Sequence, residues 1–299
     1  MDKAAQGIAT QLTTIRDYIR WAASRFNEAG LFFGHGTATA TDEAAMLVLH
    51  AIHQPNDLPA GYFNCVLDLS ERAAILALVA RRINERKPAS YVTQQAWFAG
   101  LPFYVDERVL VPRSPFAELI EQRFEPWLAD PDAVTDVLDL CTGSGCIAIA
   151  TAFAFPDAKI DAVDISPDAL AVARINVDRH DLADRVNLLQ SDLYGALADK
   201  KYDLIVSNPP YVSQAEWAAL PPEYHAEPRI GLESGESGLD CVNGILARAK
   251  AHLKPGGLLI VEVGNSAEAL EAAYPQLPFC WIEFERGGDG VFVLSYDQL

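Results

Sequence analysis

The run Val134-Thr135-Asp136-Val137-Leu138-Asp139-Leu140-Cys141-Thr142-Gly143-Ser144-Gly145-Cys146-Ile147-Ala148-Ile149-Ala150 sets the architecture. Residues 134–140 read as a buried strand carrying Asp139 near its end, and 146–155 as an apolar helix. Gly143 and Gly145 fall in the turn between them, where missing side chains let a ligand approach the backbone. Moving outward, the alternation continues. Lys159–Asp164, Val186–Gln190, Tyr202–Ser207 and 258–263 read as strands. Pro167–Arg179, with proline in its first turn, and 238–253, closed by Lys254-Pro255-Gly256-Gly257, read as helices. Alternating βα units imply a mostly parallel, Rossmann-like sheet with helices on both faces. Strands near 279–286 and Val291–Ser295, with Gly287-Gly288-Asp289-Gly290 between them, predict a terminal antiparallel hairpin.

Upstream the pattern turns helical. Ile15, Tyr18, Ile19, Ala22 and Phe26 mark one helix face. Thr41 is read as the N-cap of a second helix, with Asp42 and Glu43 in its first turn. A third starts at Ser70-Glu71 and aligns Ile75, Leu76, Val79 and Ile83. It ends in Arg81, Arg82, Arg86 and Lys87, cations suited to a helix C-terminus, before Pro88. From about 91 to 113, Trp97-Phe98, Phe103-Tyr104-Val105 and Val109-Leu110-Val111 read as strands around Gly100 and Asp106-Glu107. The expected division is a helical N-terminal domain (1–90), a connecting hairpin (91–113) and an α/β catalytic domain (114–299). There is no internal repeat.

With 299 residues, half of them hydrophobic, the chain can build two domains. The longest nearly uncharged apolar stretch, 146–155, is too short to span a bilayer, so no membrane association is expected. The opening Met1-Asp2-Lys3-Ala4 leads into polar residues without a signal-peptide core. Five cysteines (65, 141, 146, 241, 280) lack metal-ligand spacing, and His50 and His53 stand three apart without further ligands. No metal is expected, and the location is read as the reducing cytoplasm. The net charge is −18. Residues 1–113 carry 11 basic and 11 acidic side chains, and residues 114–299 carry 12 and 30. An acidic catalytic half repels DNA and RNA. It serves solubility or attracts a basic macromolecule; both readings stand.

Three acids fall at strand ends: Asp139, Asp164 and Asp192 with Leu193 after it. In such sheets ligands bind beyond the carboxyl ends of the strands, and Asp164 is placed to accept ribose hydroxyls. The glycines also fit the dinucleotide pattern G-x-G-x-x-A, with Asp164 about 20 residues on, so a nicotinamide enzyme is an alternative. Asp139 would repel a pyrophosphate but could pair with the cationic end of S-adenosylmethionine. Ser207-Asn208-Pro209-Pro210-Tyr211 then follows the fourth strand. Its prolines stiffen the turn and remove two donors. That leaves the Asn208 side-chain oxygen and the Pro209 carbonyl as acceptors, with the Tyr211 ring alongside, a clamp for a planar NH2 group.

With these residues the chain resembles the class I S-adenosylmethionine-dependent methyltransferases that methylate amino groups. Adenine N6 and protein glutamine N5 methyltransferases share the Asn-Pro-Pro-Tyr clamp. The helical start, the hairpin, Val109-Leu110-Val111-Pro112-Arg113 and the glycine-rich 231–240 segment resemble the glutamine N5 family over nearly the whole chain. Release-factor enzymes usually continue Pro-Arg with Pro-Asp/Glu-Thr-Glu. Ser114-Pro115-Phe116-Ala117-Glu118-Leu119-Ile120 instead resembles the branch acting on large-subunit ribosomal protein three, a basic substrate. The resemblance implies that S-adenosylmethionine meets Asp139, Cys141, Thr142, Gly143, Ser144, Gly145, Asp164, Asp192, Leu193 and Asn208. It implies that Asn208, Pro209, Pro210 and Tyr211 hold the glutamine, and that 1–90 recognises the substrate. Cys141 departs from the pattern, standing where the first glycine of the loop is common. Arg113, Glu118 and Glu262 have either site or structural roles, and 231–240 is either a flap or a fixed loop. The competing expectations are a release-factor glutamine N5 methyltransferase, an adenine N6 methyltransferase, which should carry a basic stripe, and an adaptor that binds without turnover.

Overall fold

The computed structural model describes residues 3–299, with side chains from residue 7 onward. The chain forms two compact units.

The first unit runs to Gln95 and also takes in Pro221–Ala226. Its helices are α1 (Lys3–Gln11), α2 (Ile15–Glu28), α3 (Ala40–Ala51), α4 (Leu69–Glu85) and α5 (Ala89–Thr93). The apolar face read for α2 is the buried face, with Ile15, Tyr18, Ile19, Ala22, Ala23 and Phe26. Thr14 and Asp17 cap its start reciprocally, and Asp68 and Glu71 do the same for α4. The cap of α3 is Thr39 rather than Thr41: Thr39 accepts from the Asp42 N–H, and Thr41 lies inside the first turn. Arg82 also departs from expectation. It is fully buried, donating to Glu43 at 2.7 Å and to the Phe32 carbonyl at 3.0 Å. Glu223, from the 221–226 segment, stands 3.6 Å from Arg82 and 2.9 Å from Arg86.

In the second unit, β1 (Ala96–Phe98) and β2 (Leu101–Phe103) form the hairpin. Residues 109–111 are irregular rather than a strand. The main sheet contains β3 (Asp136–Leu140), β4 (Lys159–Asp164), β5 (Val186–Gln190), β6 (Tyr202–Ser207), β7 (Leu253–Glu262), β8 (Cys280–Trp281) and β9 (Val291–Ser295), in the order β5-β4-β3-β6-β7-β9-β8. The first five strands pair in parallel, and β9 runs antiparallel to both β7 and β8. The covering helices are α6 (Phe116–Glu121), α7 (Cys146–Ala154), α8 (Pro167–Arg179), α9 (Gln214–Ala219), α10 (Asp240–His252) and α11 (Ala267–Ala273). Residues 254–257, read as a turn, belong to β7. The pairing with β6 shifts register there, which accommodates the glycines as a bulge. Lys254 is held by Asp136 at 2.6 Å and Asp203 at 2.8 Å.

Strand order determines where a ligand can sit. From β3 the chain proceeds outward to β4 and β5, then returns to β6 on the other side. The loops after β3 and β6 therefore diverge, opening a crevice at their carboxyl ends. The glycine loop and the Asn-Pro-Pro-Tyr turn are those two loops.

Candidate active site

The β3–α7 loop is built around Asp139. This carboxylate is fully buried and accepts from the Thr142 hydroxyl at 2.6 Å and the Ala148 N–H at 3.1 Å. Its other oxygen, Oδ1, has no hydrogen-bond partner. Burial raises its pKa to about 7. Asp139 does not line the cavity described below, so it supports the loop from behind. Cys141 takes a left-handed backbone, φ +60°. The sharp exit from β3 demands that conformation, which explains why glycine is common there; a side chain adopts it at a cost of about 1 kcal/mol. Gly143 and Gly145 are left-handed too, at φ +55° and +80°.

A cavity of about 570 Å³ opens beside this loop. Cys141, Thr142, Gly143 and Ser144 form one wall. Asp164 stands at the end of β4, accepting from the Gly143 and Ser166 N–H groups, both at 2.9 Å. Burial raises its carboxyl above the ordinary range. Asp192 and Leu193 follow β5, and Asn208 and Pro210 follow β6. One enclosure thus gathers most of the residues singled out in sequence. Gly145, Pro209 and Tyr211 stand just outside its lining, next in chain to residues that line it.

Tyr211 is held from several sides. Its hydroxyl donates to Glu262 at 3.0 Å, its carbonyl accepts from the Ser266 hydroxyl at 2.8 Å, and its ring lies against Gly264. A Cβ at Gly264 would stand 2.7 Å from the ring. Glu262 also accepts from the Ser114 hydroxyl at 2.5 Å. Arg113 grips buried Glu227 with two bonds, 2.6 and 2.8 Å, while the Val111 N–H donates to the same carboxylate at 2.9 Å. Glu118 accepts from the Glu285 and Arg286 N–H groups and fastens the approach to β9. The 231–240 segment is tied to the chain after the clamp: Val212 and Gln214 donate to the Leu232 and Gly235 carbonyls, and Ser234 donates back to Val212. Gly238 is left-handed, and a Cβ there would clash with the Tyr211 carbonyl.

A methyltransferase small domain model matches residues 126–220. The ribosomal protein uL3 glutamine methyltransferase of Neisseria gonorrhoeae is 52% identical over 97% of this chain and 97% of its own length. The enzyme of that name from Francisella tularensis is 50% identical over 98% of this chain and 94% of its own. The chain belongs to the uL3 glutamine methyltransferase family. Among solved structures, the hMettl16 catalytic domain in complex with the MAT2A 3'UTR hairpin 6 superposes with a TM-score of 0.52 at 17% identity. It covers 75% of this chain and 80% of that one, a likeness of fold alone.

Within this family member, several residues of the site gave no clear signal in sequence. Ser114, Gly264 and Ser266 reach Tyr211 or its partner from segments about 50 to 150 positions away. Cys241 places its sulfur 3.7 Å from that of Cys141. That contact, with burial, raises the Cys141 thiol well above its usual range. The sequence hints were Arg113, Glu118 and Glu262, the last an acid in an otherwise apolar strand.

Proposed function

We propose that the chain methylates the side-chain amide nitrogen (N5) of a glutamine in large-subunit ribosomal protein uL3, using S-adenosylmethionine. One observation carries the reading: the glycine loop, Asp164, Asp192 and the clamp residues Asn208 and Pro210 share a single cavity. The names of the bacterial relatives support the substrate.

The cavity suits the cofactor. Its volume lies in the small-molecule range. Space is open above Gly143, where no atom lies within 4 Å of an added Cβ, and a carboxylate stands at the end of β4. In this reading Cys141, Thr142, Gly143, Ser144 and Gly145 hold the methionine end, with Asp139 bracing them. Asp164 takes the ribose hydroxyls, Asp192 and Leu193 take the adenine, and Asn208 borders the reacting end. When bound, S-adenosylmethionine supplies a methyl group made electrophilic by the sulfonium.

The residues of the clamp do the rest. An amide nitrogen is a weak nucleophile because its lone pair is shared with the carbonyl. The Asn208 oxygen and the Pro209 carbonyl accept its two hydrogens, Pro210 stiffens the turn, and the Tyr211 ring supports the amide plane. Fixing reactants this way supplies several kcal/mol, with about 7–11 as the ceiling for well-oriented cases. Acceptors aimed at positive charge growing on nitrogen add electrostatic stabilisation. The helical unit is assigned to substrate recognition; its exposed Tyr62, Val66 and Leu69 offer apolar surface to a protein. A ribosomal substrate and five unbridged cysteines support action in the cytoplasm.

The test supplies labelled S-adenosylmethionine with purified uL3, release factor or DNA, and locates the label by mass spectrometry. Label on a uL3 glutamine alone is expected. Label on release factor or adenine, or none anywhere, would overturn the assignment. Asn208→Ala should lower kcat by about 100-fold while cofactor affinity stays within about twofold. Wild-type turnover in that variant would remove the clamp.

A further inference from the structure

Glu262 is the last residue of β7, just past Val261, which pairs with Ser207 of β6. It therefore lies beside the start of the clamp. It is 5% exposed, and the four residues before it, Leu258-Leu259-Ile260-Val261, are buried and apolar. Each of its oxygens accepts one hydroxyl, Tyr211 on one side and Ser114 on the other. The nearby Arg113 guanidinium is engaged by Glu227. Both of its side-chain hydrogen-bond donors are hydroxyls, and the Arg113 guanidinium favours its charge from beyond ion-pair distance; burying the carboxyl still costs stability that an apolar residue would not. Its two partners explain its presence. Ser114 lines the cofactor cavity, and Tyr211 is the flat ring of the clamp.

We infer that Glu262 is a positioning residue for the amide slot: it fixes the Tyr211 ring through its hydroxyl and ties that ring to Ser114 on the cavity wall. This deepens the proposed function and rests on it for the identity of the amide. Gly264 bounds the ring edge and Ser266 holds the Tyr211 carbonyl, whereas Glu262 acts at the hydroxyl end. Without Glu262 the ring loses its bond to that carboxylate and its tie to Ser114. The amide then meets a displaced wall, while the cofactor loop after β3 is untouched.

The experiment uses the full chain with labelled cofactor and uL3. Glu262→Met, similar in length without an acceptor, should lower kcat by about 10- to 100-fold, the scale of a small misplacement of the reacting group. Its affinity for S-adenosylmethionine, measured by calorimetry, should stay within about twofold of wild type. Glu262→Gln keeps an oxygen for Tyr211 and offers its NH2 to Ser114, and should recover turnover to within about threefold of wild type. In a Tyr211→Phe background, Glu262→Met should cost nothing further, because the hydroxyl through which it acts is gone. Multiplicative losses in the double variant, wild-type kcat in Glu262→Met, or cofactor affinity lost in parallel with kcat would each overturn the inference. A readout independent of turnover is nitration of Tyr211 by tetranitromethane, mapped by peptide mass spectrometry. It should rise several-fold in Glu262→Met and stay at the wild-type level in Glu262→Gln. Unchanged nitration overturns the inference whatever the substrate. Failure of the wild-type protein to label a uL3 glutamine, with nitration as expected, overturns the proposed function and leaves the hold on Tyr211 standing.

Discussion

Asp139 keeps its proton to a higher pH in the folded chain than in the unfolded one. Burial lifts its pKa from the ordinary carboxylate range to about 7. Between those two values the native state binds a proton that the unfolded state has released. Stability from this group therefore falls as pH rises toward 7 and stays lowered above it. A neutral amide in its place would accept from Thr142 and Ala148 without that penalty. The melting temperature of ligand-free Asp139→Asn should exceed that of wild type at pH 8, by the equivalent of a few kcal/mol at most, and the gap should close toward pH 5. Thermal denaturation of both proteins at the two pH values measures it; a gap independent of pH would show that Asp139 is not the titrating group. Asn208 and Tyr211 stand out in sequence because a short spacing puts them in one turn, and Asp164 because it closes a strand. The burial of Asp139 was not, since a strand-end acid looks the same whether it faces the cavity or the loop behind it. The Ser114–Glu262–Tyr211 chain was equally hidden: its members are brought together only by strand pairing across the sheet.

Elements with a strong period or a motif at one end were legible, with β4, β5, β6 and α8 placed at their observed bounds. The short helices α9 and α11, six and seven residues long, carry too few turns for a periodic signal. The start of β7 is hidden because Pro255-Gly256-Gly257 signals a turn, whereas the sheet absorbs it as a bulge. In α4 the cations were visible but not their direction. Arg82 points into the bundle, and its removal would leave Glu43 and Glu223 buried together. Arg82→Met should destabilise the protein by about 3–5 kcal/mol in urea titrations, the usual cost of stranding a buried charge. A loss below about 1 kcal/mol would mean that water reaches the pair.

Over the molecule as a whole, the charge divides by sequence: residues 1–113 are neutral and residues 114–299 carry the entire excess of −18. Association with a basic ribosomal protein should weaken as salt is added, by on the order of tenfold in Kd between low and physiological-to-high ionic strength. Calorimetry with the wild-type protein in the absence of S-adenosylmethionine measures this without turnover, and a salt-independent Kd would assign the acidity to solubility alone. Charge and the α/β plan are legible in the residues alone, since one is a count and the other a repeating alternation. The membership of Pro221–Ala226 in the helical unit is not, because nothing in those six residues marks them as foreign to their neighbours in the chain. That excursion bears on how such chains can be recombined. A crossover between two relatives placed at residue 96 looks like a clean exchange of whole modules. The hybrid would nevertheless take Arg82 and Arg86 from one parent and Glu223 from the other. Shuffled offspring should survive where both parents carry matching charges at these positions and fail where either parent has replaced them, so the inheritable module is a discontinuous one.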